Sequence, residues 1–580
     1  MEQKTGFRIL DRIDALLLLV LAGIFFLNMH FLHDLSRGPM EDAAMLMRYS
    51  QHLGGGHGIV WNLGEKPIDG ATDFLFMVVI AGLYRAGLSL ENAVILVGVV
   101  SQLGMIALVY LGIRSLYPNN KWGRWLGLCS GIWLAIGPGL YYTEFFFGTT
   151  FFALSICVTW FFAILLTRKD HHPYAIGFAA SGLITGLIRP EGVILVCVML
   201  MSVLVYRAMA TWQRSIGKVF FNVLKGSKWT FVYFVAIFVL LGAVYFFWRW
   251  NYFGYPLPNP FYKKGGGDLY PFSLLGSISN VILFTVPFIP IYVLGLFYCK
   301  DKKKIIFPLV PILCFTLMWI LLSDEMNHMG RFQYPIVSIV LLSCPPVFEG
   351  IFEPIRTKGG PVKNNLAGYL MKGFERHFKK ADLKLDPQSG QFKFFNLFVL
   401  FIMLSIVILP YGVHSGKNFF VNRYHDGNYD IAILLSDYKD KNYTLVTSEA
   451  GILSLYSEWR TIDAWGLNDQ TISHGGGIIT EGYLNETDPQ VIIFHAKFSL
   501  LSSVRLDGEW NAMVYVMYKF ANENGYILAA DFGHITTDSI FIYVAPDFAD
   551  SGEIIQRVNA TQFIWPYDGY LCNNFAYGER

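Results

Sequence analysis

The chain has 580 residues, of which 54% are hydrophobic, 16% aromatic and only 15% charged, and its net charge is +2. So much apolar surface excludes a soluble globular protein and points to a multi-spanning membrane protein. The balanced charge excludes nucleic acid as a partner, and the seven cysteines show no CxxC and no metal-ligand spacing.

The first apolar run, residues 14–32, follows Lys4, Arg8 and Arg12 and is not followed by a small-residue cleavage site. It reads as an uncleaved anchor with the N-terminus in the cytoplasm. Residues 41–53, EDAAMLMRYSQHL, come next. Met45, Leu46, Tyr49 and Leu53 repeat at helical spacing there, which predicts a surface-lying amphipathic helix. Its two leading acids, Glu41 and Asp42, complement a helix N-terminus, but one acid would suffice for that. An adjacent pair in a polar loop fits a general base, or a carboxylate that faces a developing cation. Arg48 lies on another side of this helix. His57 sits among glycines in GGGHGIVWN, and Lys66 follows in GEKPIDG.

Residues 73–90 are apolar enough to span or to lie along the surface. Further spanning runs occur near 92–113, 123–141, 148–167, 173–188, 191–207, 229–250, 276–298, 305–322, 332–349 and 394–412. If 73–90 does not cross, Arg114, Arg124, Arg168, Lys169, Arg207, Lys225, Lys302–Lys304 and the basic loop 350–393 all fall on the cytoplasmic side. If it crosses, every one of those clusters is translocated. The positive-inside rule selects the first arrangement: eleven transmembrane helices, with 41–53 and 73–90 as juxtamembrane helices on the outer face.

The outer loops then hold the unusual polar residues. Glu144 precedes one helix. In LIRPEG, Pro190 and Glu191 fit a helix start, and Arg189 at the membrane boundary needs an acid or an anion. RWNYFGYPLPNPFYKKGG carries Asn259, Tyr262, Lys263 and Lys264, and DEMNHMGRFQYP carries His328 and Arg331. Cations on the outer side run against the usual bias and fit a lipid phosphate. Residues 413–580 change character. Strand-like runs (YTLVTS, QVIIFHA, SIFIYVA) alternate with helix-like ones, which predicts an extracytoplasmic α/β domain after a membrane domain of residues 1–412.

Residues 41–74 resemble the first outer loop of the GT-C polyprenyl-phosphate-sugar glycosyltransferases, closest to the arabinofuranosyltransferase branch. RPEG at 189–192, YFGYPLPNPFYKK at 252–264 and SEAGILSLYSEWRTIDAWGLNDQTI at 448–472 resemble three further signatures of that branch. The resemblance implies a sugar donor on a polyprenyl phosphate, an extracytoplasmic acceptor and a bacterial inner-membrane location, with no cofactor required. A divalent metal is not supported by the spacing. It implies that Asp42 and Glu41 serve sugar transfer. It assigns lipid-phosphate contacts to Lys263, Arg189 or Arg331. Members often carry a glutamate where this chain has Gly148; either Glu144, one turn earlier, replaces it or that function is absent. Arabinofuranose is the implied sugar. The Phe-, Ile-, Asn- and Lys-rich usage directs the acceptor toward a pilin, another surface protein or a cell-envelope glycan. A lipid-linked-sugar flippase and a membrane-anchored binding module are the competing classes. The first would place charges inside the bundle, and the second would not need eleven helices.

Overall fold

The computed structural model describes residues 11–117, 123–211, 216–265, 269–357, 424, 426–497, 508–535, 537–564 and 573–574. Most of the basic loop 350–393 and the run 394–412 lie outside the described residues.

Apolar runs become helices because a chain in hydrocarbon must satisfy its backbone N–H and C=O groups internally. Helix α1 (Arg12–Leu32) starts at Asp11, whose side chain accepts from the Asp14 N–H. Helices α2 (Glu41–Gly54) and α3 (Phe74–Arg85) follow, and α4 (Leu90–Leu116) is capped by Ser89. Gly137-Pro138 separates α5 (Gly123–Ile136) from the short α6 (Gly139–Glu144). Then come α7 (Thr149–Arg168), α8 (His172–Ile188) and α9 (Pro190–Ala210). Arg189, between the last two, is extended, as expected of a residue before proline. The amphipathic α10 (Ile216–Gly226) precedes α11 (Lys228–Phe253), which has a π-helical stretch at Phe234–Val239. The membrane part closes with α12 (Asn259–Gly265), α13 (Pro271–Thr285), α14 (Ile289–Tyr298), α15 (Lys303–Leu317) and α16 (Val337–Thr357).

Among the described residues seven helices are long and apolar enough to cross a membrane, or eight if α13 and α14, bent by 92°, form one broken span. The sequence predicts eleven. The expected spans at 123–141 and 173–188 are helices of 14 and 17 residues, and 276–298 is the broken pair. Helix α3 has only 12 residues, about 18 Å at 1.5 Å per residue, against a hydrocarbon thickness of about 30 Å. Its two ends also lie at the same end of the bundle. Asp73 is 3.0 Å from Arg189, and Glu91, just beyond its far end, accepts from Tyr456 of the C-terminal region at 2.9 Å.

The C-terminal region is a six-stranded sheet in the order β2-β1-β3-β5-β4-β6. Strands β1 (Thr444–Thr447), β2 (Arg460–Asp463) and β3 (Val491–Ala496) are parallel. Strands β4 (Ile527–Ile535), β5 (Asp538–Val544) and β6 (Asn573–Asn574) complete it with antiparallel pairings. β1 and β3 are buried along their whole length, as apolar runs covered on both faces are. Leu445, Trp459, Ile493 and Ile542 pack on one side of the sheet, and Val446, Ile462, Phe494 and Met517 on the other.

The sheet docks on α2 and the loop after it. Thr461, on the edge strand β2, donates its N–H to Asn62 Oδ1 (2.9 Å), and its carbonyl accepts from Asn62 Nδ2 (3.1 Å) and Trp61 Nε1 (2.8 Å). The VWN motif thus closes an exposed sheet edge. The expected one-sided amphipathic helix at 41–53 is instead buried nearly all round, Arg48, Ser50 and His52 included, because the C-terminal domain covers the side that would face water.

Candidate active site

Helix α2 presents its two acids to different partners. Glu41 Oε2 accepts from the N–H groups of Gly451 (2.7 Å) and Ile452 (3.1 Å), capping the short helix Ile452–Ser457. The approach is so close that a Cβ on Gly451 would run into the Glu41 backbone and carboxylate. Burial, helped by Glu449 and Asp426, pushes the Glu41 carboxyl from 4.5 up to about 8. A carboxyl raised in the folded state contributes docking stability that is complete below about pH 4.5 and is lost as the pH rises through about 8. Limited proteolysis at the junction is therefore expected to accelerate between pH 5 and pH 9, and Glu41→Gln should flatten that dependence. A flat wild-type profile would contradict it.

Asp42 faces the membrane domain. Arg331 Nη2 donates to its Oδ2. Burial opposes ionisation, but Arg331, Lys264 and His328 outweigh it and hold the Asp42 carboxyl below its ordinary value. The Arg331 guanidinium lies over Phe147 (4.0 Å) and Phe332 (4.9 Å), and its Nε has no hydrogen-bond acceptor among the described residues. Arg189 adds a second, half-buried guanidinium, 2.9 Å from Glu191 and 3.0 Å from Asp73, and within electrostatic reach of Asp42.

Both acids open into a cavity of about 310 Å³ between the membrane domain and the sheet. Glu41, Asp42, Met45, Lys264 and Glu325 line it from the membrane side. Ser448, Glu449, Asp463, Trp465, Lys497 and Trp510 line it from the other. The latter residues follow the carboxyl ends of the three parallel strands, the usual place for a ligand in an α/β sheet. Trp465 and Trp510 stand 5.2 Å apart between ring centres. Burial pushes Asp463 up to about 6, although its carboxylate accepts from the N–H groups of Trp465, Gly466 and Asn468. No group of three or more His, Cys, Asp or Glu side chains among the described residues is arranged to hold a metal ion.

Several residues assigned from sequence have other partners. Arg48 donates to the carbonyls of Trp61, Ser454 and Trp459 and to Asn62 Oδ1, so it ties the two domains together. His57 and Lys66 are exposed in the loop after α2. Glu144 is fully buried against His33 (2.7 Å) and Arg37 (3.1 Å), which fixes the end of α1 to α6. The carboxylate beside Gly148 is that of Asp73, whose Oδ2 would sit 3.0 Å from a Cβ placed there. Asn259 is buried, with its N–H on the Asp69 carbonyl. Tyr262 packs at a tilt against His474, 4.4 Å between ring centres.

The two lysines sit in different surroundings. Lys263 pairs with Glu509 (2.6 Å) and lies over Trp465 (4.0 Å), locking α12 to the sheet domain. Lys264 lines the cavity, 3.5 Å from Glu325. Sequence reasoning also missed Asp73, Glu449 and Lys497. The extra acid in SEAG was a visible signal for Glu449, but nothing local tied it to Glu41.

A family profile described as "Domain of unknown function (DUF8728)" matches residues 420–548. No curated protein matches the sequence. Among solved structures, the chain is similar to apo ArnT from Cupriavidus metallidurans, with TM-score 0.55 and 13% identity over 91% of this chain and 97% of ArnT. ArnT bound to undecaprenyl phosphate gives TM-score 0.53 and 13% identity over 92% and 98%. The oligosaccharyltransferase AglB from Archaeoglobus fulgidus, in complex with an inhibitory peptide and a dolichol-phosphate, gives 0.51 and 12% over 93% and 75%. The chain accordingly shares its fold with ArnT and AglB, a polytopic helical membrane protein with a C-terminal α/β sheet domain.

Proposed function

We propose that the protein is a glycosyltransferase that moves a sugar from a polyprenyl phosphate to the hydroxyl of an extracytoplasmic acceptor. The observation that carries this reading is Asp42, a carboxylate flanked by cations and open to a cavity between membrane helices and sheet. As the bond from the anomeric carbon to phosphate breaks, positive charge develops on the sugar and negative charge on the phosphate. Asp42 answers the first, and Arg331, Lys264 and Arg189 answer the second. The ArnT structure with undecaprenyl phosphate supports the donor class. Arabinofuranose is the first sugar to test, on the motif resemblance. Purified protein given a panel of polyprenyl-phosphate sugars should release free polyprenyl phosphate from at least one. Release from none, in a preparation that still binds undecaprenyl phosphate, would overturn the reading.

The cations give a graded expectation. A charge-assisted contact to phosphate contributes roughly 1.5–3 kcal/mol. Arg331→Ala and Lys264→Ala should each lower donor use by about one to two decades, since about 1.4 kcal/mol is tenfold. Lys263→Ala should act on thermal stability and leave donor KM within about threefold. Equal effects of the two lysine variants on donor KM would remove Lys264 from the phosphate site.

The sheet domain and the cavity belong on the extracytoplasmic side, as the distribution of basic loops requires. A phosphatase reporter fused at the C-terminus should be active, and an inactive one would reverse the orientation.

A further inference from the structure

The cavity's carboxylates are not equivalent, and their partners separate them. Glu41 accepts two backbone N–H groups of the sheet domain. Asp42 is bound to Arg331. Glu325 faces Lys264. Asp463 is surrounded by the N–H groups of its own turn and by Asn468 Nδ2. Glu449 differs from all four. It follows the carboxyl end of β1 and lines the cavity, and its Oε1 is 3.1 Å from His495 Nδ1. His495, on the neighbouring strand β3, is buried, and its Nε2 is 2.6 Å from Oδ1 of Asp538 at the start of β5. Its backbone is fixed as well: its N–H donates to Ser448 Oγ (2.9 Å), and its carbonyl accepts from Trp510 Nε1 (3.0 Å).

An imidazole with both nitrogens against carboxylates satisfies both when it is protonated and donates twice. Burial works against that charge, but Asp538 and Glu449 outweigh it and bring His495 up to about 9. The ring therefore holds Oε1 of Glu449, and among the described residues no hydrogen bond engages Oε2, which is left for a group in the cavity. The other charged or titratable groups lining the cavity are Glu41, Asp42, Lys264, Glu325, Asp463 and Lys497, and of these Glu41 is within electrostatic reach of Glu449. Glu41 is mostly protonated at neutral pH, so it does not compete as a base.

We propose that Glu449, oriented by His495 and Asp538, takes the proton from the acceptor hydroxyl, so that the sheet domain supplies the base and the membrane domain supplies Asp42 and the phosphate-binding cations. The inference rests on the glycosyl-transfer reading. In the step, the acceptor O–H proton passes to a Glu449 oxygen while the acceptor oxygen bonds to the anomeric carbon. The bond from that carbon to the phosphate oxygen breaks, and its electron pair leaves with the phosphate. Glu449 then returns the proton to water as product departs. His495 and Asp538 are positioning residues.

The test uses the full-length protein, the polyprenyl-phosphate sugar that the wild type turns over in the panel above, and an octyl glycoside with water as acceptors. Glu449→Gln should lower kcat by about two to four decades with donor KM within threefold, since a positioned base contributes about 10²–10⁴-fold. Glu449→Ala should be similarly impaired and partly restored by added formate or azide. His495→Gln should lower kcat and move the acid limb of the pH–rate profile to higher pH, and Asp538→Asn should do the same to a smaller degree. A merely structural cluster would move neither the rescue nor the pH limb. Glu449→Gln turnover within threefold of wild type would overturn this inference and leave the glycosyl-transfer reading standing. A wild type inactive on every donor would overturn both.

Discussion

Replacing Asp42 with asparagine is expected to lower turnover by about three decades or more while donor binding holds or tightens. Asparagine keeps the shape of the side chain and can still accept from Arg331. It removes the negative charge that pairs with Arg331 and acts on Lys264, leaving Glu325 to face Lys264. The cations then meet a phosphate with less competition, so donor KM should not rise. The developing charge on the sugar loses its counter-charge, and such preorganised electrostatic stabilisation is a large part of many enzymes' rate enhancement. A fall in kcat without a rise in KM is the signature of an interaction made in the transition state. Glu41→Gln should cost less than tenfold, because glutamine mimics the protonated carboxyl and still accepts from Gly451 and Ile452. Single-turnover release of polyprenyl phosphate checks both. Near-wild-type turnover in Asp42→Asn would remove this residue from the chemistry. A greater loss in Glu41→Gln than in Asp42→Asn would exchange their roles.

The second large effect is on assembly. Arg48 is 2% exposed and donates to three backbone carbonyls and one side-chain amide, two of the carbonyls belonging to the sheet domain. No carboxylate bonds to it among the described residues, and burial lowers its pKa to about 10. Arg48→Met fills similar volume but strands those acceptors. The expected loss is about 3–5 kcal/mol of docking stability. It should appear as protease cleavage between the membrane helices and the sheet domain, together with a lower thermal midpoint for the whole chain. Arg48→Lys keeps the charge but reaches fewer acceptors, so it should fall between. If Arg48→Met leaves stability intact and raises donor KM, the residue binds substrate after all.

Hydropathy and local patterning determined the class of this protein. Spanning helices need long apolar runs and buried strands need short ones, and both are properties of contiguous residues. The strand runs YTLVTS, QVIIFHA and SIFIYVA supply β1, β3 and β5. That 73–90 does not span is what the basic loops select, and α3, at 12 residues, is shorter than a crossing needs. The four motifs at 41–74, 189–192, 252–264 and 448–472 were legible as a set; residues of three of them line one cavity, and Arg189 of the fourth lies within electrostatic reach of Asp42. Two of them bind each other through Glu41 and Gly451, and through Asn62 and Thr461.

Only the tertiary structure decided which member of each motif faces that cavity. Lys263 and Lys264 are neighbours, but successive residues on a helix point about 100° apart, so one meets Glu509 and the other the cavity. The adjacent acids Glu41 and Asp42 diverge for the same reason, one to the sheet domain and one to Arg331. Asp73 beside Gly148, and Glu449 against His495, join residues separated by dozens of positions. No periodicity encodes such pairs. They exist because the C-terminal sheet folds back over α2, and burying both surfaces together obliges each charged group between them to find a partner.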